Sequence, residues 1–111
     1  MPIDDWDVVV VTYNSADALE LAWADASESL RSRVVCVDNS SADATVAIAR
    51  RLFPTVLSSP NLGLSVANNL GARQGTSRYV LYCNPDAVII EKDLIELEHH
   101  LQKHPGLVAP P

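Results

Sequence analysis

The residues most capable of chemistry lie where an apolar segment at 79–83 runs directly into Asn84, Pro85 and Asp86. Two interpretations fit these residues. A β-turn favours proline at its second position. A divalent cation favours hard oxygen ligands, and Asp86 and Asn84 offer a carboxylate and an amide oxygen. The choice depends on what lies beside these residues, and therefore on the elements that position them.

Apolar patterns along the chain predict four strands that alternate with four helices. Continuous apolar runs, largely β-branched, are typical of strands buried on both faces, and they occur at residues 7–13, 33–38, 55–59 and 78–83. Apolar residues at helical spacing predict helices over 15–31, from 40–43 to the residue before Pro54, over 64–75 and over 91–103. Residues 107–111 are typical of the beginning of a fifth strand.

The alternation of strands and helices predicts an α/β fold, in which a Rossmann-like, mostly parallel sheet carries helices on both faces. The length of 111 residues fits a single domain over residues 1–111. Because the sequence stops as a fifth strand opens, we expect this domain to be the first part of a longer one.

Polar residues follow every predicted strand. In an open parallel sheet, ligands bind at the edge where the carboxyl ends of the strands meet, here called the carboxyl edge. We therefore expect these residues to converge there. They are Thr12, Tyr13, Asn14 and Ser15 after the first strand, Asp38, Asn39 and Ser40 after the second, Asn61 and Gly63 after the third, and Asn84 and Asp86 after the fourth.

Structural roles explain several of these residues equally well. Asp38 could accept backbone N–H groups within its own turn. Asn61 and Gly63 fit a tight turn, because glycine tolerates a positive φ angle. Helix N-capping suits the short polar side chains of Asn14, Ser15, Ser40 and Ser41. The residue types leave both kinds of role open.

Composition and motif spacing exclude several classes of protein. The net charge of -6 argues against a nucleic-acid partner, because no basic patch is available to contact phosphates. No apolar run is long enough to span a membrane, and no signal peptide is recognisable. Two cysteines are expected to be free, buried thiols, which predicts a cytoplasmic location. The turn at 12–17 lacks the glycines of a dinucleotide site, and the chain lacks a P-loop, a nucleophile elbow and zinc-ligand spacing.

The remaining possibility is a nucleotide site with few basic residues. An acidic edge can hold a nucleoside diphosphate only if a divalent cation lies between the two negative charges. Asp86 and Asn84 would supply the protein ligands of Mg²⁺ or Mn²⁺, and phosphate and water would fill the other positions.

Three stretches of the sequence resemble the family 2 glycosyltransferases, which are inverting enzymes with the GT-A fold. The stretches are VVVVTYNSADAL, VVCVDNSSADAT and SSPNLGLSVANNLGARQGTSRYVLYCNPDAVI. The resemblance extends over nearly all of residues 6–90, in the order and spacing of the family. The resemblance is nearest to the rhamnosyltransferase-like branch, whose members commonly carry Asn-Pro-Asp in place of Asp-x-Asp.

The resemblance implies a role for each candidate residue. Asp38 would contact the base or the ribose. Asp86, with Asn84, would hold Mg²⁺ or Mn²⁺ on the donor diphosphate, and the amide in place of an acid implies weaker cation binding. The residues that would line the nucleotide pocket or lie near the nucleotide are Thr12, Tyr13, Asn14, Asn61, Gly63 and Arg73.

The catalytic base of this family usually lies in the second half of the domain, and it cannot be identified here. Glu91 and Asp93 follow the Asn-Pro-Asp motif, but they begin a predicted helix and are not candidates. We therefore expect the 111-residue chain alone to be inactive.

The expected function is that of the donor-binding portion of a glycosyltransferase in polysaccharide biosynthesis. The full-length protein would transfer a sugar from a dTDP- or UDP-linked donor, with dTDP-rhamnose as the expected donor, to a saccharide or lipid-linked acceptor with inversion. It would act in the cytoplasm or at the cytoplasmic face of the membrane.

Two alternatives remain open. The first is a non-catalytic module that binds a nucleotide or a protein partner and associates, for example as a homodimer, through an exposed sheet edge. The second is a sugar-1-phosphate nucleotidyltransferase, which would need a glycine-rich basic loop after the first strand. Residues 12–17 do not supply such a loop.

Overall fold

The structure, a computed structural model, describes residues 3–104 and 106, and this part of the chain forms four strands and five helices. In chain order they are β1 (Trp6–Thr12), α1 (Ala16–Trp23), α2 (Glu28–Arg31), β2 (Val34–Asp38), α3 (Thr45–Leu52), β3 (Thr55–Ser58), α4 (Leu64–Gln74), β4 (Tyr79–Cys83) and α5 (Glu91–Lys103).

The four strands form one parallel sheet in the order β3-β2-β1-β4. Every residue of β1 is buried, as its continuous valine run predicts for a strand covered on both faces. β2 and β4 flank β1 on opposite sides, so the direction in which strands are added reverses between β1 and β4. Parallel sheets of this kind bind ligands at such a switch point. The predicted α/β fold class is confirmed.

Helices cover both faces of the sheet, and alternate residues of β1 pack beneath each layer. Val8 and Val10 belong to a larger core that also contains side chains of α1, α2, α3 and α5. Val9 and Val11 belong to a smaller core with Ala67 of α4 on the opposite face. One central strand therefore contributes to both cores.

The helix α4 lies unusually close to the sheet. A Cβ atom at Gly71 would meet the Val9 Cγ1 atom at 2.5 Å and the Val37 Cγ2 atom at 3.2 Å, so no larger residue fits there without movement. Because α4 connects the parallel strands β3 and β4, it begins at the carboxyl edge and ends at the opposite, amino edge of the sheet. Its first turn is therefore a neighbour of the candidate residues.

The prediction of one helix over residues 15–31 is wrong, because α1 ends at Trp23 and α2 begins at Glu28. A turn with a 3.1 Å bond from the Ala26 N–H to the Trp23 carbonyl separates them. Ser27 then caps α2, accepting the Leu30 N–H at 3.1 Å. Short polar side chains offer the backbone such alternatives to a continuous helix.

The second helix also begins later than predicted. α3 starts at Thr45 rather than among residues 40–43, and Ser40 has a φ angle of 65°, outside the helical region. The last two predicted helices agree with α4 and α5 to within a residue. The predicted fifth strand at 107–111 lies outside the described residues.

Candidate functional site

The carboxyl ends of the four strands converge at one edge, as the sequence predicted. Thr12 at the end of β1 pairs with Asp38 at the end of β2, and Asp38 pairs with Ser58 at the end of β3. Cys83, the last residue of β4, pairs with Val10. The residues after β4 therefore continue beside the last residues of β1.

Asn84, Pro85 and Asp86 form the predicted turn. The Ala87 N–H donates to the Asn84 carbonyl at 3.1 Å, which closes a four-residue turn with proline in its second position. The turn leaves the Asn84 and Asp86 side chains exposed. Burial, together with the negative charge of Asp86, raises the pKa of the adjacent Cys83 thiol to about 11. The apolar strand thus ends in a turn that presents two oxygen ligands to solvent.

The turn fits a cation only together with a ligand that brings further oxygen atoms. Among residues 3–104 and 106, no group of three or more His, Cys, Asp or Glu side chains is arranged to hold a metal ion. Asp86 and Asn84 are exposed and offer only oxygen, which suits Mg²⁺ or Mn²⁺ with phosphate and water in the remaining positions.

Asp38 lies beneath the edge and is only 2% exposed. Its carboxylate accepts hydrogen bonds from Thr12 Oγ1 at 2.8 Å, from Ser41 Oγ at 2.5 Å and from the Ser41 N–H at 2.8 Å. Thr12 is also buried, and its hydroxyl lies 3.8 Å from the Cys36 sulfur atom. Burial raises the pKa of that thiol to about 12. Thr12 and Asp38 are therefore buried beneath the exposed residues of the carboxyl edge and are not part of its surface.

Hydrogen bonds join the loop after β1 to the loop after β2. Asn14 has a positive φ angle of 46°; its N–H donates to Ser41 Oγ at 2.8 Å, and its Oδ1 accepts the Ala42 N–H at 2.8 Å. The Ser15 N–H donates to Thr45 Oγ1 at 2.8 Å. The two loops thus form one connected surface.

The helix-capping predictions for the serine and asparagine residues of these loops are wrong. Ser15 occupies the N-cap position of α1, but its hydroxyl bonds to the Tyr13 backbone and makes no cap bond. Asn14 and Ser41 link the two loops, and Ser40 Oγ donates to the Ser59 carbonyl at 2.7 Å. These side chains therefore form hydrogen bonds within and between the loops, and they do not cap the helices.

Asn61 and Gly63 lie in the exposed loop between β3 and α4. Their φ angles are 55° and 104°, and the second is one that glycine tolerates. Among the described residues no backbone hydrogen bond closes a turn around them, so the tight-turn interpretation stays a prediction. Gly63 is the N-cap residue of α4. This loop places both residues at the carboxyl edge, beside the first turn of that helix.

The structure does not bring Arg73 to this edge. Arg73 lies in the last turn of α4, nine residues after the helix begins, which corresponds to about 13 Å along the helix axis. The end of α4 is at the amino edge of the sheet, so Arg73 is separated from the other predicted residues by the length of the helix.

Sequence reasoning missed the role of Ser41 and the burial of two other polar residues at the edge. Ser41 was predicted only to cap a helix, yet it connects Asp38 with Asn14. Asn39 and Ser59 are buried, and their Oδ1 and Oγ atoms have no hydrogen-bond partner among the described residues. The spacing of Asp38 and Ser41 was the available signal, because an aspartate often accepts backbone N–H groups from residues shortly after it.

A family model matches most of the chain. The model described as Glycosyl transferase family 2 matches residues 7–110. No curated protein matches the chain significantly.

Two solved structures of longer proteins share the fold. The crystal structure of S. aureus TarS 1-349 has a TM-score of 0.68 at 23% identity, and the match covers 96% of this chain and 38% of that one. The mannosyltransferase PcManGT from Pyrobaculum calidifontis, in complex with GDP-Man and Mn²⁺, has a TM-score of 0.66 at 26% identity, with coverages of 80% and 29%. The chain therefore spans well under half the length of these proteins.

Proposed function

The chain belongs to glycosyl transferase family 2, and from this premise we propose that it is the donor-binding portion of a glycosyltransferase that uses a nucleoside-diphosphate sugar. One observation carries the proposal. The exposed residues Tyr13 and Asn14 follow β1, and the exposed turn at 84–86 follows its neighbour β4, so both are at the carboxyl edge at the switch point between these strands. This arrangement suits a ligand that needs one surface for its nucleoside and another for its diphosphate.

The exposed polar residues would contact the nucleoside. Tyr13 is 55% exposed, so its ring is available to stack on a base or ribose. Asn14, Asn61 and Gly63 are exposed on the neighbouring loops and would contribute polar contacts. Thr12 and Asp38 would support these loops from below, since both are buried.

Asp86 and Asn84 would hold Mg²⁺ or Mn²⁺ at the diphosphate. When bound, the cation would supply positive charge that stabilises the leaving diphosphate. The Mn²⁺ in the PcManGT complex with GDP-Man supports this assignment by analogy. The two residues provide only one full negative charge, so cation binding should depend strongly on the diphosphate.

The finer specificity is a proposal from the sequence resemblance. It favours a dTDP- or UDP-linked donor, with rhamnose as the sugar, transfer with inversion, and a saccharide or lipid-linked acceptor. GDP-Man in PcManGT makes a guanine nucleotide an equally necessary test ligand. The catalytic base and the acceptor site would come from a further part of the full-length protein.

Calorimetric titration of dTDP, UDP and GDP, with Mn²⁺ and then with EDTA, tests the proposal. We expect binding of at least one nucleotide that requires Mn²⁺ and weakens about tenfold or more in Asp86→Ala, as for a lost charge-assisted contact. Asp25→Ala, which removes an exposed carboxylate between α1 and α2, is the matched control and should bind normally. Binding that is equal with EDTA and in Asp86→Ala would exclude the cation site, and no binding by the folded wild type would reject the donor-binding proposal for this chain.

A second candidate function is a module that associates through the sheet, as a homodimer or with another protein. One observation favours it. β4 pairs only with β1 in the described sheet, and its Tyr82 is 45% exposed. The apolar residues Val88 and Ile90 that follow are 74% and 57% exposed. Sedimentation equilibrium of the wild type and of Tyr82→Glu tests this idea: a dimer that the substitution dissociates would support it, and a wild-type monomer would reject the homodimer.

A further inference from the structure

We propose that Ser41 is a positioning residue for the nucleotide, through which the buried Asp38 carboxylate holds the loop after β1 in its binding conformation without itself touching the ligand. The inference rests on the proposed function and assigns the support of the site to a relay of three residues, Asp38, Ser41 and Asn14. The relay differs from the direct contact of Asp38 with base or ribose that the sequence resemblance implied.

The first step is that the Asp38 carboxylate already accepts hydrogen bonds from the protein. A carboxylate offers about four lone-pair positions. Thr12 Oγ1, Ser41 Oγ and the Ser41 N–H occupy three of them, at 2.8, 2.5 and 2.8 Å. With 2% of the residue exposed, a ligand at the edge has almost no access to the fourth.

The second step is that Ser41 transmits the orientation of Asp38. The Ser41 hydroxyl has one proton, and it donates that proton to Asp38 Oδ1. Its oxygen must therefore act as an acceptor on the other side, where the Asn14 N–H donates to it at 2.8 Å. The carboxylate thus fixes the position of the Ser41 hydroxyl and the direction of its hydrogen bond, and this hydroxyl holds Asn14.

The third step is that Asn14 needs this support. Its φ angle of 46° is in the left-handed region, which costs energy for a residue other than glycine, although asparagine tolerates it better than most. The Ser41 hydroxyl holds its N–H, and the Ala42 N–H holds its side-chain oxygen. Tyr13, the exposed aromatic residue of the site, immediately precedes it. Fixing Asn14 therefore fixes the surface on which the nucleoside would lie, so that binding need not order this loop.

A matching serine at the opposite edge of the sheet separates positioning from ordinary stabilisation. Asp7 is buried near the start of β1 and accepts the Ser77 hydroxyl at 2.9 Å and the Ser77 N–H at 3.1 Å. Asp38 and Ser41 make the same pair of bonds at the carboxyl edge. Ser77→Ala therefore removes an equivalent hydroxyl–carboxylate bond far from the proposed ligand.

The experiment combines calorimetry with amide hydrogen exchange on Ser41→Ala, Asp38→Asn, their double variant and Ser77→Ala. The probes are dTDP, UDP and GDP with Mn²⁺. We expect Ser41→Ala to weaken nucleotide binding about tenfold, the size of one lost hydrogen bond, and to accelerate exchange of the Asn14 amide. Ser41→Ala and Asp38→Asn interrupt the same relay. The nucleotide affinity of the double variant should therefore be no lower than that of whichever single variant binds the nucleotide less tightly. Ser41→Thr, which keeps the hydroxyl, should bind like the wild type, and Ser77→Ala should lower stability without changing affinity.

Four results would overturn the inference. Additive losses in the double variant, or a changed preference among the three nucleotides in Asp38→Asn, would mean that Asp38 contacts the ligand directly. Wild-type affinity in Ser41→Ala would mean that the relay does not position the site. Absence of nucleotide binding by the wild type would reject the proposed function and the nucleotide role of Ser41 together, and the exchange of the Asn14 amide would then show separately whether the relay orders the loop.

Discussion

At the scale of single residues, the two thiols illustrate how burial suppresses reactivity. Burial raises the pKa of Cys36 to about 12 and that of Cys83 to about 11. The thiolate is the reactive form, so we expect both thiols to react slowly with an aromatic disulfide reagent at mildly alkaline pH, and rapidly once urea unfolds the protein. Cys83 is only partly buried and should be the faster of the two, which Cys83→Ser would verify by removing the faster phase. Rapid reaction of both thiols in the native protein would contradict this prediction.

Asp43 predicts a sensitivity to acid. Its carboxylate accepts hydrogen bonds from the Thr45 hydroxyl, the Thr45 N–H and the Ala16 N–H. These bonds, above all the one from the Thr45 hydroxyl, lower its pKa below the ordinary value. A lowered pKa in the folded state means that the charged carboxylate stabilises the fold above the unfolded pKa of about 4, and that this stabilisation is lost as the pH falls through the folded pKa.

The corresponding measurement is a urea titration of the wild type and Asp43→Asn at several pH values. We expect the wild type to be the more stable protein near neutral pH, and the difference to shrink below about pH 4. Asp25→Asn provides the control, because this carboxylate, exposed like Asp43, accepts no hydrogen bond from the described residues. A difference that is the same at all pH values would show that the charge of Asp43 is not responsible.

The residue types of the site could be predicted from the sequence, but their bonds could not. The strand pattern places Asp38, Asn14 and Asn84 after strand ends, and the parallel order brings them to one edge. It does not reveal that Asp38 is buried or that Ser41 lies between it and Asn14. Short polar side chains have several possible partners of similar energy, and only the packed loops select among them.

At the scale of elements, Gly71 fixes the distance between α4 and the sheet. A Cβ atom there would approach the Val9 Cγ1 atom to 2.5 Å. We therefore expect Gly71→Ala to destabilise the protein by about 1–2 kcal/mol, because overpacking outweighs the gain of about 1 kcal/mol in helix propensity. Urea denaturation measures this change. Asn69→Ala, at an exposed position of the same helix, gains propensity without a steric clash and should leave stability unchanged or slightly higher; a more stable Gly71→Ala variant would mean that α4 can move away freely.

The strands were easier to predict than the helix boundaries, for a physical reason. A strand buried on both faces needs an unbroken apolar run, and β1 and β2 have one. The break between α1 and α2 does not interrupt the apolar pattern of the sequence. Trp23 and Leu30 lie on either side of the break, and both pack into the larger core. The apolar spacing therefore continues through a turn that Ser27 and its hydrogen bond create.

At the scale of the whole molecule, the sequence limits the sheet to parallel strands without giving their order. Short helical crossovers allow β4 to join either side of the sheet. Its position beside β1 creates the switch point on which the proposed site depends. The one hint in the sequence is the pair Tyr79 and Tyr82, since aromatic residues with polar tips suit a partly exposed strand, and β4 is less buried than β1.

The same topology couples the two cores. Val8 and Val10 of β1 pack in the larger core, and Val9 and Val11 pack in the smaller one. Neither face can lose its packing without disturbing the strand that the other face needs. Trp6 and Trp23 both lie in the larger core, so tryptophan fluorescence reports one face, whereas far-ultraviolet circular dichroism also includes α4 on the other.

We therefore expect the described domain to unfold in one cooperative step, as small single domains usually do. Leu94→Ala, in the larger core, should lower the free energy of unfolding by about 2–5 kcal/mol, and Val9→Ala, in the smaller core, by about 2 kcal/mol. In both variants the fluorescence and circular dichroism transitions in urea should move together. Val66→Ala, at an exposed site on α4, should change stability by less than about 0.5 kcal/mol. If Val9→Ala shifted the dichroism transition and left the fluorescence transition in place, α4 would unfold independently, and β1 would not couple the two faces.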